Sequence, residues 1–341
     1  MVFFNVLVLL HGLFYRIKSK AVLLLSFSIL FVLSAYRALS VGSDTGSYLN
    51  HFNIVKSGNS LWRVEYLWVE LNKLVVEFNG GFSHILIISH CLILIPIYLI
   101  AYKKSKLPLL VIYYYLAFYF YFYSMNIMRQ CIAVSLVFTV YVIIDSKIKY
   151  KYLLASALLT IATLFHISAI IVLVLFIFQY FIKKNIKYLY LLLVGSIFVG
   201  VLFSSFFTPL IGFMGYSGLY KNTGEFTLPI VSILNTFVLN LTLVIITNII
   251  DKKNMFFYLF LSYVILSNLL IFIPFSNRVL MYGSIIKILF FPSLIYNNRL
   301  DLNQKSFAGI FFAFYAYLYF NLVLGSGGVF PYDNVLFSEN I

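Results

Sequence analysis

Residues 16–52 read RIKSKAVLLLSFSILFVLSAYRALSVGSDTGSYLNHF. A basic cluster opens the stretch, an apolar run follows, and a polar group closes it, with Arg37, Asp44, Tyr48, Asn50 and His51 crowded together. That order suits a membrane-crossing helix: cations at the cytoplasmic end, roughly 20 residues compatible with hydrocarbon, then a return to water. The rest of the chain repeats it. Its 341 residues are 63% hydrophobic, 20% aromatic and 10% charged. A water-soluble domain cannot cover so much apolar surface. The expected fold is therefore all-α: a single polytopic integral membrane domain over residues 1–341, of about 11–12 transmembrane helices with an outer-face cavity.

The net charge of +14 invites a nucleic-acid reading until the charges are placed. RIKSK (16–20), KKSK (103–106), KIKYK (147–151), KKNIK (183–187), DKKN (251–254) and RLDLNQK (299–305) hold 16 of the 24 Lys and Arg, and they fall in alternate loops. Cytoplasmic loops carry this bias, so no nucleic-acid partner is expected. Spans are expected near 2–15, 20–37, 82–102, 107–125, 128–144, 152–165, 167–182, 188–206, 228–249, 255–273, 278–295 and 306–324. Eleven spans remain if residues 2–15 lie at the interface instead. The longest outer connections are 38–81 and 207–227. Within the first, LWRVEYLWVELNKLVVEF repeats its apolar residues at helical spacing, which predicts an amphipathic interfacial helix with Trp62 and Trp68 at headgroup level.

Cys91 and Cys131 fall in different spans, and no Cys/His metal spacing is present, so neither a disulfide framework nor a metal is expected. The sequence also lacks a phosphate loop, HExxH, GxSxG and an acidic pair for a nucleotide sugar, so no cofactor is expected. The costly polar groups gather instead at the outer ends of spans: Arg37, Asp44 and Tyr48, then Glu65, Arg129 with Gln130, His166, and Arg278 with Tyr282 one turn on. Ionisable groups at membrane depth usually face a water-filled cavity or a polar ligand. Three arginines suit a diphosphate, because the guanidinium fork matches phosphate oxygens two at a time.

Arg37, Asp44, Tyr48 and Phe52 within YRALSVGSDTGSYLNHF are followed by MRQ at 128–130, FHISA at 165–169, NRVLMY at 277–282 and PY at 331–332. In that order they resemble the EpsG family of bacterial polysaccharide polymerases, Wzy-type proteins of O-antigen, capsule and exopolysaccharide assembly. The resemblance covers about residues 36–332. It departs from the pattern after Glu65, where relatives often have Pro and this chain has Tyr66.

The resemblance implies a multi-pass protein of the bacterial cytoplasmic membrane. Its substrate would be an undecaprenyl-diphosphate-linked oligosaccharide, and its partners membrane lipid and the flippase and chain-length regulator of the same pathway. It assigns Arg37, Arg129 and Arg278, with Tyr48, Gln130 and Tyr282, to substrate binding, and His166 and Asp44 to catalysis. Two alternatives remain from the residues alone: a flippase for the same lipid-linked glycan, which needs a polar path between leaflets, and an outer-face acyltransferase, which needs no cluster of arginines.

Overall fold

The structure, a computed structural model, describes residues 1–213, 229–247, 254–271, 273, 276–295 and 301–336. Among them it is helical throughout, with no strands. The helices are α1 Val2–Leu13, α2 Lys20–Ala35, α3 Thr45–Lys56, α4 Tyr66–Glu77, α5 Phe82–Lys104 and α6 Pro108–Ala117. They continue with α7 Phe120–Asn126, α8 Met128–Asp145, α9 Lys151–Phe165, α10 Ile171–Lys184 and α11 Leu189–Phe213. The last five are α12 Pro229–Ile246, α13 Met255–Leu269, α14 Ser276–Ser284, α15 Lys287–Ile295 and α16 Leu302–Val323.

Each of the twelve apolar runs of the sequence carries a helix or a bent helix pair. Among the described residues four are long and apolar enough to cross a membrane: α5, α8, Ile167–Lys184 and α16. The bent pairs α6–α7 and α14–α15 raise that number to six. Of the rest, α1, α2, α9 and α13 have 12–16 residues, which at about 1.5 Å per residue cover less than the roughly 30 Å of hydrocarbon, whereas α11 and α12 have 25 and 18. The protein is thus a multi-pass membrane protein. Of the expected outer connection 207–227, residues 207–213 belong to α11 and the rest lies outside the described residues.

The chain forms two compact units. The first comprises residues 1–170, 291–296 and 303–341, and the second residues 171–290 and 297–302. In the first, α8 and α9 form an antiparallel hairpin whose connection carries Lys147 and Lys149. Arg129 at the start of α8 and His166 just beyond α9 therefore share the opposite end, and α8 at 18 residues separates that end from the lysines by about 27 Å.

The same unit explains the polar stretch after α2. Residues 36–43 pair with the C-terminal segment through Ala38 N–H to Asp333 O (3.1 Å), Gly42 N–H to Gly328 O (2.8 Å), Ser43 N–H to Gly327 O (2.9 Å) and Val335 N–H to Tyr36 O (2.9 Å). Oδ1 of Asn126 accepts from Ser43 Oγ (3.0 Å) and from Asp44 N–H (2.8 Å). Backbone groups of an irregular turn in a mostly apolar protein need such partners. The turn is thereby fixed, and α3 starts at Thr45.

In the second unit, Asn268 Nδ2 donates to Ser196 Oγ (2.8 Å) and Asn240 Oδ1 (3.1 Å), while Asn240 Nδ2 returns a bond to Asn268 Oδ1 (2.7 Å). Gly200 permits this approach of α11 to α13, since a Cβ there would lie 2.1 Å from Asn268 O. Small residues and amide bonds are the means by which helices associate where hydrocarbon offers no hydrophobic drive.

Candidate functional site

The polar groups that meet in the first unit come from four chain segments. Tyr48 lies one turn into α3, Glu65 precedes α4, Arg129 is the second residue of α8, and His166 ends α9. Glu65 is the hub. One of its carboxylate oxygens pairs with Arg129 Nη1, and the other lies 2.6 Å from His166 Nδ1. Arg129 also lies over the Tyr48 ring, 5.7 Å from its centroid, and donates toward its hydroxyl. The side chains of Glu65, Arg129 and His166 remain 17%, 21% and 25% exposed, so the cluster is partly enclosed yet reachable.

Local structure sets each of these positions. Glu65 occupies the N-cap of α4, where its carbonyl accepts from Trp68 N–H (3.1 Å) and Val69 N–H (3.2 Å). Tyr66 is then the first residue of the helix, a position whose N–H has no intrahelical partner, so Pro and Tyr both fit. The departure from the family's Glu-Pro pair leaves Glu65 where it is. His166 is extended (φ −159°, ψ 114°), with its N–H bonded to Ala162 O and its carbonyl to Ala169 N–H.

Burial raises the Glu65 carboxyl pKa, but the His166 hydrogen bond and the Arg129 charge outweigh it, and the carboxyl titrates below its usual range. Burial pushes the Tyr48 phenol up to about 12 against the pull of Arg129, so it stays a donor. His51, one turn after Tyr48, is held below the usual histidine range by burial and then by Arg129. Two buried nitrogens, His51 Nδ1 and Arg129 Nε, have no hydrogen-bond partner among the described residues.

The expected site residues do not all join this cluster. Arg37 is only 1% exposed and spends its donors on Ser34 O (2.7 Å), Val41 O (3.4 Å) and Met128 Sδ (3.3 Å). It ties the end of α2 to the following turn, and the diphosphate contact expected of it finds no exposed donor. Asp44 caps α3 next to Tyr48, whose phenol it acts to raise, but it makes no ion pair among the described residues. Gln130 is buried on the neighbouring face of α8. Arg278, exposed, and Tyr282, buried, lie one turn apart on α14 in the second unit.

One aromatic expectation changes as well. Trp68 is fully buried, its ring 5.0 Å from that of Tyr48, so it packs against protein and not at the headgroups; Trp62 is 87% exposed. Glu65 and His51 stood among the polar groups read from the sequence but were given no binding or catalytic role there. The signal for Glu65 was its place in that group, among the ten acids of the chain. Among the described residues no group of three His, Cys, Asp or Glu is arranged to hold a metal.

The chain matches the family model of the EpsG family over residues 20–334. It belongs to the EpsG family. That match runs from the start of α2 to Asn334, so it includes every member of the cluster and the C-terminal segment that braces it. No curated protein and no solved structure matches the chain. As a member of the EpsG family it is a polysaccharide-polymerase-type membrane protein with glycosyltransferase-like chemistry.

Proposed function

We propose that this EpsG-family chain transfers a growing undecaprenyl-diphosphate-linked glycan onto the nonreducing end of a second lipid-linked repeat, at the outer face of the bacterial cytoplasmic membrane. The observation that carries this reading is the convergence of Tyr48, Arg129 and His166 at the end of the α8–α9 hairpin remote from the lysines. A transporter needs polar groups along its whole path, and an acyltransferase has no use for a guanidinium at this point.

The transfer requires a proton to leave the acceptor hydroxyl as its oxygen attacks the anomeric carbon of the donor glycan. The anomeric C–O bond breaks, and its electron pair leaves on the diphosphate, which needs charge stabilisation more than a protonating acid. His166 takes the hydroxyl proton and later releases it to water. Arg129 faces the charge that grows on the diphosphate, and Tyr48 hydrogen-bonds the reacting groups. Family resemblance gives Arg278 and Tyr282 a substrate-binding role in the same reaction. The chemistry draws on no nucleotide and no metal.

The test is purified protein supplied with a synthetic undecaprenyl-diphosphate-linked repeat. A ladder of products spaced by one repeat is expected. Absence of elongation, together with movement of a labelled repeat across a vesicle bilayer, would overturn polymerisation in favour of transport.

A further inference from the structure

We infer that Glu65 is the positioning residue for His166, holding the imidazole with Nε2 as its proton-accepting nitrogen, and that the same carboxylate links the base to the diphosphate-facing Arg129. The inference rests on the polymerase reading above and deepens it.

The geometry fixes the tautomer. A carboxylate can only accept hydrogen bonds. Glu65 is kept ionised by Arg129 on one oxygen, so the 2.6 Å contact on the other requires the proton to sit on His166 Nδ1. In the neutral ring the lone pair is then on Nε2. His166 Nε2 has no partner among the described residues, and the side chain is a quarter exposed, which suits a nitrogen that must meet a substrate hydroxyl. The carboxylate that meets His166 is that of Glu65, not of Asp44.

The carboxylate is also held from behind. Its main chain is locked into the first turn of α4. That turn is seated by Trp68, buried against Tyr48, which in turn meets Arg129. A group that orients a base must itself be immobile, and this one is fixed by packing and by two charge-assisted contacts. The arrangement connects binding to chemistry: a diphosphate that draws Arg129 acts on the carboxylate that aims His166.

The experiment is a double-mutant cycle on the full-length protein with the lipid-linked repeat, using Glu65→Gln, His166→Ala and the pair. Glu65→Gln should lower kcat about tenfold or more while KM for the repeat stays within about twofold. The double variant should be no slower than His166→Ala, because a residue acting through His166 has nothing left to act on. Losses that multiply in the double variant, or a Glu65→Gln effect confined to KM, would overturn the inference while leaving the polymerase reading intact. Wild-type protein without a ladder would instead remove the polymerase reading. A second measurement needs no activity: nitrogen-15 spectra of histidine-labelled protein, with His166 assigned from His166→Ala, should show the Nδ1-protonated ring in wild type and its loss in Glu65→Ala. An Nε2-protonated ring in wild type would overturn the assignment by itself.

Discussion

His166 Nδ1 lies 2.6 Å from Glu65 Oε1 although 101 positions separate the two residues in the chain. The contact joins the break after α9 to the cap of α4, two points that have nothing in common in the sequence beyond polarity. It makes the segment ahead of α4 part of the same structural unit as the α8–α9 hairpin. Glu65 therefore sets both the charge balance and the pH response of the cluster.

The pH response has a definite sign. The folded-state Glu65 carboxyl titrates below its unfolded value. Its contribution to stability is present above the unfolded pKa of about 4.3 and is lost as pH falls through the lower folded value. Thermal melting of wild type and Glu65→Gln in detergent should differ at pH 6 to 7, and the difference should shrink steadily as pH falls below the unfolded value. Melting curves that stay equally far apart down to pH 3 would show that the ion pair is not the source of the difference.

Arg129 should not tolerate lysine. Its guanidinium reaches the Glu65 carboxylate and lies over the Tyr48 ring at once, and one ammonium cannot reproduce that planar fork. Arg129→Lys is expected to lower product formation about tenfold or more, in line with the loss of one charge-assisted contact. A ladder equal to wild type at equal protein level would reduce Arg129 to a helix anchor.

The sidedness of the bundle is open to labelling. In a chain lacking Cys91 and Cys131, cysteines placed at Ser43 or Ser57 should react with an impermeant thiol reagent applied outside the cell. Cysteines at Ser19 or Lys149 should react only after permeabilisation. All four positions are exposed in the structure, so silence cannot be blamed on burial. Outside labelling at Lys149 would put Arg129 and His166 on the cytoplasmic face.

How much of this was legible beforehand depends on what kind of force set each feature. Hydropathy and loop charge located every apolar helix, because transfer into lipid acts residue by residue along the sequence. Arg129, His166 and Tyr48 stood out because polar groups at span ends are rare. Arg37 belonged by type to the same set, yet backbone carbonyls of its own turn and Met128 enclose it, a tertiary arrangement no pattern announces. Trp68 shows the same limit. Periodicity found the apolar face of α4 but not that the face divides, with Trp68 and Val75 against protein and Leu74 and Phe78 exposed. Helix α3 was not anticipated, for its residues TGSYLNHFNIVK have little apolar periodicity and its start is imposed by Asn126 and the C-terminal segment.

That imposed start yields the last prediction, which compares two glycines. Gly42 and Gly58 have nearly the same left-handed backbone, φ +88° and +81°. A side chain at either pays about 1–2 kcal/mol for that conformation. Their surroundings differ completely. A Cβ at Gly58 would meet nothing within 4 Å, whereas at Gly42 it would lie 2.3 Å from Met125 O, a backbone atom with no room to yield. Gly58→Ala should therefore lower the melting temperature slightly and leave the product ladder unchanged. Gly42→Ala must push the turn off α7, and it carries Ser43, Asp44 and the start of α3 with it, so Tyr48 leaves its place against Trp68 and Arg129. The expected result is a larger fall in melting temperature together with loss of polymer. Equal effects of the two substitutions on both measurements would mean that the close approach of Gly42 to α7 does not hold Tyr48 in the cluster.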